Sequence, residues 1–423
     1  MRNFLPKICQ NEACFILAMG LLSRGLIAIA MLGIAPLLAA PSGGIQAELG
    51  WEVFSAWDSS FYQQIAANNY DGLGENPGAN VAFFPLFPLL IRGGMLLGFS
   101  SNVVGTLINN AAFLGTLFVL YYWVKRTNGM LAARWATAIL AWCPLSIFGT
   151  VVYSEGLFLF FSTSALFAFE RQNYRQTALW GILATATRIT GLALMPALII
   201  TAWRRRLPPT AYIASLASAG GTLFYSLYCW VQFKDPIAFI TTQHSQWQRK
   251  QGIDWEGWGK MLGEITIGSK NWAAGSINDP WHPLLFGLIM AIAYGLWHYR
   301  AYLPKAYFDY SLGSLGLLLW LLTGDPLLNT LSVLGGITLL WCLRHQLSFL
   351  VVIYGFCALG LLISSGGTIS LNRLAYGIIS LTIALGLLLS RSPRLGYATL
   401  GFFCVLLISF SVRFAQHQWV AMI

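Results

Sequence analysis

Apolar runs about as long as a bilayer crossing recur along the chain, separated by short polar or charged breaks. A spanning helix needs roughly 20 apolar residues. The first run, 13–39, meets that length, and Arg2 and Lys7 ahead of it favour an exit toward the outer side. It is longer than the apolar core of a signal peptide, so it reads as a retained helix. A polar, aromatic segment follows at 41–80. The next stretch, 81–99, is apolar but carries Pro85, Pro88 and Arg92, which suits an interfacial or re-entrant helix. Together they form a first outer loop, 41–100, with a further amphipathic helix expected at 56–68.

Spans are then predicted at 102–124, ending at Lys125-Arg126, at 130–150, and at 156–169, ending at Glu170-Arg171. The run 177–203 would leave Arg204-Arg205-Arg206 outside if it were continuous. A break at Thr187-Arg188-Ile189-Thr190-Gly191 returns the arginines to the inner side. Broken helices are tolerated at membrane depth where they line a protected cavity. The run 211–231 leads to a second long outer loop, 232–280. Further spans are expected at 281–298, 307–322, 327–343, 347–363, 371–390 and 396–412. The prediction is an all-α polytopic membrane protein of about 12–13 transmembrane helices, forming one membrane-embedded unit over 1–423.

Composition narrows the choice. Of 423 residues, 57% are hydrophobic and 9% charged, against roughly a quarter charged in soluble domains. That excludes both a disordered chain and a soluble enzyme. The net charge of +10 does not point to nucleic acid, because no basic run exceeds Arg204-Arg205-Arg206; the cations read as topology signals. Of the 15 Asp and Glu, all but Glu12, Glu170 and Asp309 fall on expected outer segments. Acids contribute little to orientation, so their clustering points to chemistry on the outer side. The cysteines, Cys9 among them, lie mostly in apolar runs with no C-x-x-C spacing and read as small buried residues.

Four constellations carry candidate chemistry. The first is Trp57-Asp58-Ser59-Ser60-Phe61-Tyr62, continuing to Tyr70-Asp71-Gly72 and closing at Phe83-Phe84-Pro85-Leu86-Phe87-Pro88. Among aromatics at the membrane surface, Asp58 can be basic enough to take a proton from a hydroxyl; it equally suits a helix N-cap. The second is Tyr153-Ser154-Glu155, where the acid sits between two apolar runs. It is a functional candidate by its place in the membrane, or a helix-start cap. The third is Arg188 at the proposed break, with Arg373 in Ser370-Leu371-Asn372-Arg373 reading the same way. Guanidinium groups suit phosphate, though each could instead be structural. Arg24 and Arg92 are weaker and read as snorkelling side chains. The fourth is Asp235-Pro236, Gln243-His244 and Trp247-Gln248-Arg249, an amphipathic outer helix. No phosphate-loop or dinucleotide fingerprint is present. There is no Asp-x-Asp pair, and no metal site or cofactor is predicted. The chain has no Asn-x-Ser/Thr sequon, which favours a bacterial membrane over a eukaryotic secretory one.

Taken together, these blocks resemble the PIG-V family, the α-mannosyltransferases that add the second mannose to GPI anchors, and its bacterial relatives. The similarity rests on Trp57-Asp58 through Tyr70, the Phe-Phe-Pro-Leu-Phe-Pro block and Tyr153-Ser154-Glu155. Arg188 with Thr190-Gly191, Asp235-Pro236 with Gln243 and Trp247, and Arg373 extend it. The resemblance implies a GT-C glycosyltransferase fold and an inverting transfer of sugar from a polyprenyl- or dolichyl-phosphate carrier to a lipid or glycan acceptor. It implies Asp58 as base.

The site expected on these grounds has Asp58 and Glu155 as catalytic acids and Arg188 and Arg373 on the donor phosphate. Trp57, Tyr62, Tyr70, Tyr153, Gln243, His244 and Trp247 would contact substrate. The expected location is the periplasmic side of a bacterial plasma membrane, or the ER lumen for a eukaryotic source. A secondary transporter or lipid flippase with an anion site at the broken helix is the alternative.

Overall fold

The computed structural model describes residues 11–73, 76–247, 249–250 and 252–418. Arg2, Lys7, Cys9, Glu75 and Gln248 lie outside the described residues. Apart from a hairpin of two-residue strands, Gly72–Leu73 and Asn76–Pro77, the regular elements among the described residues are helical. Among the described residues, four helices are long and apolar enough to cross a membrane: Glu12–Leu37, Ser101–Asn128, Asp325–Leu343 and Pro393–Ala415. On Trp281–His298 and Lys305–Thr323, Leu284, Leu288, Leu318 and Leu321 face outward. Such a surface is an aggregation liability in water and ordinary in hydrocarbon. The protein is a multi-pass membrane protein.

Several other spans consist of two short helices in series. Run 130–150 is Met130–Trp142 followed by a 3-10 turn, Pro144–Gly149, because Pro144 has no N–H to continue the ladder. Run 177–203 breaks where expected. Tyr174–Thr187 ends at Arg188, which is extended (φ −154°, ψ 144°), before a 3-10 turn Ile189–Ala193 and the helix Leu194–Arg204. Two further runs expected to be continuous are not. The run 211–231 is Pro209–Ala217 and Gly220–Phe233, and 371–390 is Leu371–Tyr376 and Ile379–Arg391. Gly220-Gly221 and Gly377 weaken the helix at those points.

Neighbouring breaks satisfy each other's backbone, which a bilayer interior requires. Thr185 Oγ1 donates to the Ser218 carbonyl (2.8 Å) and accepts from the Gly221 N–H (3.1 Å). A Cβ at Gly221 would overlap the Ala186 amide and the Ile182 carbonyl, so the two helices touch backbone to backbone. Gly221→Ala is therefore expected to destabilise the fold by about 1–3 kcal/mol through overpacking. A lowered thermal midpoint in detergent would register it, and an unchanged midpoint would refute the contact.

Met130–Trp142 packs closely against Ile379–Arg391, within a core that also takes in Ser101–Asn128, Glu155–Glu170 and Phe349–Ile363. A Cβ on Gly386 would meet the Ala136 backbone, the small-residue contact typical of membrane helices. Lys125 pairs with Glu12 (2.5 Å) and Arg205 with Glu170 (2.7 Å), tying the helix ends at those residues together.

Candidate active site

The helix Asp58–Asn68 begins after Trp57, whose φ of 56° turns the chain sharply. Asp58 occupies the first helical position, and its carboxylate makes no cap; Oδ2 instead pairs with Arg373 Nη2 at 2.8 Å. The Asp58 amide donates to the Tyr153 hydroxyl (3.2 Å). Glu155 likewise opens a helix, Glu155–Glu170, without capping it through Ser154. Both carboxylates thus lie at positive helix ends, where anions are favoured. Glu155 Oε1 receives Arg188 Nη1 (2.7 Å) and Arg373 Nε (2.5 Å). Ser154 Oγ links Arg188 (3.2 Å) to the Tyr62 hydroxyl (2.8 Å).

Two carboxylates and two guanidiniums therefore form one compact, charge-balanced cluster, drawn from four separated stretches of chain. Arg373 stands on the short helix Leu371–Tyr376, with its guanidinium carbon 4.6 Å from the Tyr153 ring centroid and 5.1 Å from that of Phe148. Cation–π contact of this kind holds the group in place where water does not solvate it.

The cluster floors a cavity of about 890 Å³. Trp57, Asp58, Tyr62, Arg188, Gln243, His244, Trp247 and Arg373 all line it. Three expected site residues take other places. Glu155, 2% exposed, lies beneath Arg188 and Arg373 and is absent from the cavity wall; the arginines that neutralise it also cover it. Tyr153 sits in the same layer, under Arg373. Tyr70 donates to the Phe83 carbonyl (2.7 Å) and lines a separate pocket of about 350 Å³ with Pro85, Arg92 and Tyr225.

The segment around the helix Ala238–Ser245 also lines the cavity. Trp247, following the helix Ala238–Ser245, stands edge-on to Phe61 (5.3 Å between centroids) and Phe83 (6.0 Å), while Phe61 and Phe83 stack at 4.8 Å. The His244 Nδ1 lies 2.5 Å from the Arg249 carbonyl oxygen. Asp235 caps its own turn, accepting from the Ile237 amide (2.9 Å) and Thr241 Oγ1 (2.7 Å).

Residues without an obvious sequence signal hold this arrangement. Asn109, fully buried, donates to the Phe148 (2.8 Å) and Val151 (2.7 Å) carbonyls and accepts from the Gly156 amide (2.8 Å). It satisfies the irregular stretch that delivers Tyr153 and Glu155, as buried backbone demands. Arg24 does not snorkel. It is 7% exposed and donates to the Ser146 (2.7 Å) and Ala141 (3.1 Å) carbonyls and to Ser146 Oγ (2.7 Å). A cation at the carbonyl end of Met130–Trp142 is favoured by the helix dipole. Arg92 donates to Asn69 Oδ1 and to the Ala67 carbonyl (3.3 Å). Among the described residues, no group of three or more His, Cys, Asp and Glu is arranged to hold a metal.

Comparison with curated proteins finds no match. Among solved structures, the chain is similar to the Archaeoglobus fulgidus oligosaccharyltransferase in complex with Zn and sulfate. That similarity is at 12% identity and a TM-score of 0.46, over 93% of this chain and 53% of that one. The chain thus spans about half the length of that structure. It is also similar to ArnT from Cupriavidus metallidurans bound to undecaprenyl phosphate, at 11% identity and a TM-score of 0.39, over 89% of this chain and 78% of that one. Residues 34–206, the segment that supplies Asp58, Glu155 and Arg188, match the profile of the family described as mannosyltransferase (PIG-V), and in that segment the sequence resemblance and the family match coincide.

Proposed function

We propose that the protein is an integral-membrane glycosyltransferase that moves mannose from a polyprenyl-phosphate carrier to a lipid or glycolipid acceptor on the outer face of the membrane. The observation that carries this reading is the placement of Asp58. Its carboxylate faces a cavity of about 890 Å³ between the two long outer loops, beside arginines and aromatic rings.

An acceptor hydroxyl within reach of Asp58 gives up its proton to the carboxylate as its oxygen bonds to the anomeric carbon. The bond from that carbon to the phosphate oxygen breaks on the opposite side, so the anomeric centre inverts. Phosphate departs already ionised and calls for positive charge more than for a proton. Arg188 and Arg373 supply part of that field but are each engaged by a carboxylate. Glu155, covered by both, acts as a positioning residue rather than a group that touches substrate. The aromatic wall of Trp57, Tyr62, Phe83 and Trp247 suits the apolar faces of a sugar.

The test is donor turnover. Purified protein in detergent receives radiolabelled polyprenyl-phosphate mannose and a lipid extract from its host. Label is expected to pass to a new lipid. Donor binding without transfer to any lipid in the extract would overturn the acceptor class, and absence of both binding and transfer would favour the transporter reading.

A further inference from the structure

Charge accounting around the cavity leaves one cation over. Its charged lining residues are Asp58, Arg188, Arg249, Lys250 and Arg373. Arg188 is paired with Glu155, and Arg373 with both Glu155 and Asp58. Lys250 is paired with Glu256 (2.5 Å) and Asp254 (3.4 Å). Arg249 alone has no carboxylate partner among the described residues; its guanidinium makes one long hydrogen bond, to Ser365 Oγ at 3.5 Å.

We propose that Arg249 is the phosphate-binding residue of the cavity, and that the ligand is the phosphate of a lipid-linked sugar. The assignment rests on the donor reading above and changes which arginine serves it. A partly buried, unpaired guanidinium is unfavourable until an anion arrives. Burial works against the Arg249 charge, and the nearby Arg373 and Arg188 add to this against the pull of Asp58. A phosphate relieves all of these at once, and the planar fork of arginine matches its oxygens.

The backbone holds Arg249 ready for this role. Its amide donates to the Gln243 carbonyl (3.0 Å), and its own carbonyl meets His244 Nδ1 (2.5 Å). The next amide, Lys250, donates to the Gly366 carbonyl (2.8 Å), and Gly252 bridges to Ser365. At Gly366 φ is +76°, and a Cβ there would land on the Lys250 carbonyl. The segment bearing Arg249 is therefore strapped across the cavity at both ends, one end dependent on a glycine. A backbone fixed in this way does not have to be ordered when the ligand binds.

The experiment uses the full-length protein in nanodiscs of neutral lipid, with three probes: undecaprenyl phosphate, undecaprenol and inorganic phosphate. Wild type is expected to prefer undecaprenyl phosphate over undecaprenol by about 10- to 100-fold, the range for a charge-assisted hydrogen bond. Arg249→Gln should erase that preference, Arg249→Lys should keep part of it, and Lys260→Gln, on the exposed face of Trp255–Ile267, should leave it intact. Gly366→Ala, which displaces the strap, should reproduce the Arg249→Gln loss. Thermal midpoints should stay level for Arg249→Gln, since the side chain makes only one weak bond.

A preference that survives in Arg249→Gln overturns the assignment and leaves the donor reading standing. A wild type that binds both lipids equally overturns the donor reading along with it. Tight inorganic phosphate with no lipid preference identifies a free-anion site and overturns the lipid assignment.

Discussion

Asp58→Asn is expected to lower sugar transfer by about 10²–10⁴-fold, the usual cost of removing a general base, while leaving donor binding in place. Asparagine is nearly isosteric, and its amide oxygen still accepts from Arg373 Nη2, which in the native site approaches Asp58 Oδ2 at 2.8 Å. The backbone bond from Asp58 to the Tyr153 hydroxyl is independent of the side chain. Losing a negative charge beside Arg188, Arg249 and Arg373 makes the cavity more positive, so a phosphate-bearing donor should bind as tightly as before or more so. The measurement is single-turnover transfer of labelled mannose together with donor affinity on the same preparation. Loss of rate and of affinity together would make Asp58 a binding residue, and an unchanged rate would remove it from the chemistry.

Glu155→Gln is expected to act on the fold rather than on one chemical step. Glu155 is 2% exposed and accepts from two guanidiniums through a single oxygen, while Oε2 has no partner among the described residues. The amide keeps the shape but removes the charge, leaving Arg188 and Arg373 to share Asp58. Breaking a buried ion pair from one side costs about 3–5 kcal/mol, so a large fall in the detergent thermal midpoint is anticipated. Restoring the balance in the double variant Glu155→Gln with Arg188→Gln should recover part of that loss, a coupling measurable as a double-mutant cycle. Stability equal to wild type in the single variant would mean that the cluster is not held together by charge.

The break at Arg188 was legible because a continuous helix would have carried three arginines to the wrong side of the membrane. The breaks at Ser218 and Gly377 carried no such charge penalty, and their apolar runs read as single spans. The aspartate at the start of a helix looked like a cap as much as a base. Only the position of Arg373, far along the chain, turns its carboxylate away from the helix amides. Asn109 and Arg24 gave no usable signal, since a lone polar residue in an apolar run does not reveal which carbonyls it will meet.

By itself, the sequence determined that this protein lives in a bilayer. It also determined that the chain crosses repeatedly and carries a carboxylate-and-arginine set resembling the PIG-V family. Those are properties of composition and of local period, which solvent partitioning reads residue by residue. Tertiary structure decided which charges neutralise which. It placed Glu155 under the arginines instead of in the cavity, sent Tyr70 to a neighbouring pocket, and left Arg249 without an acid among the described residues. Ion pairing in a low-dielectric interior falls off over a few ångströms, so its outcome depends on how distant segments pack, and that is not written in the spacing of residues along one chain.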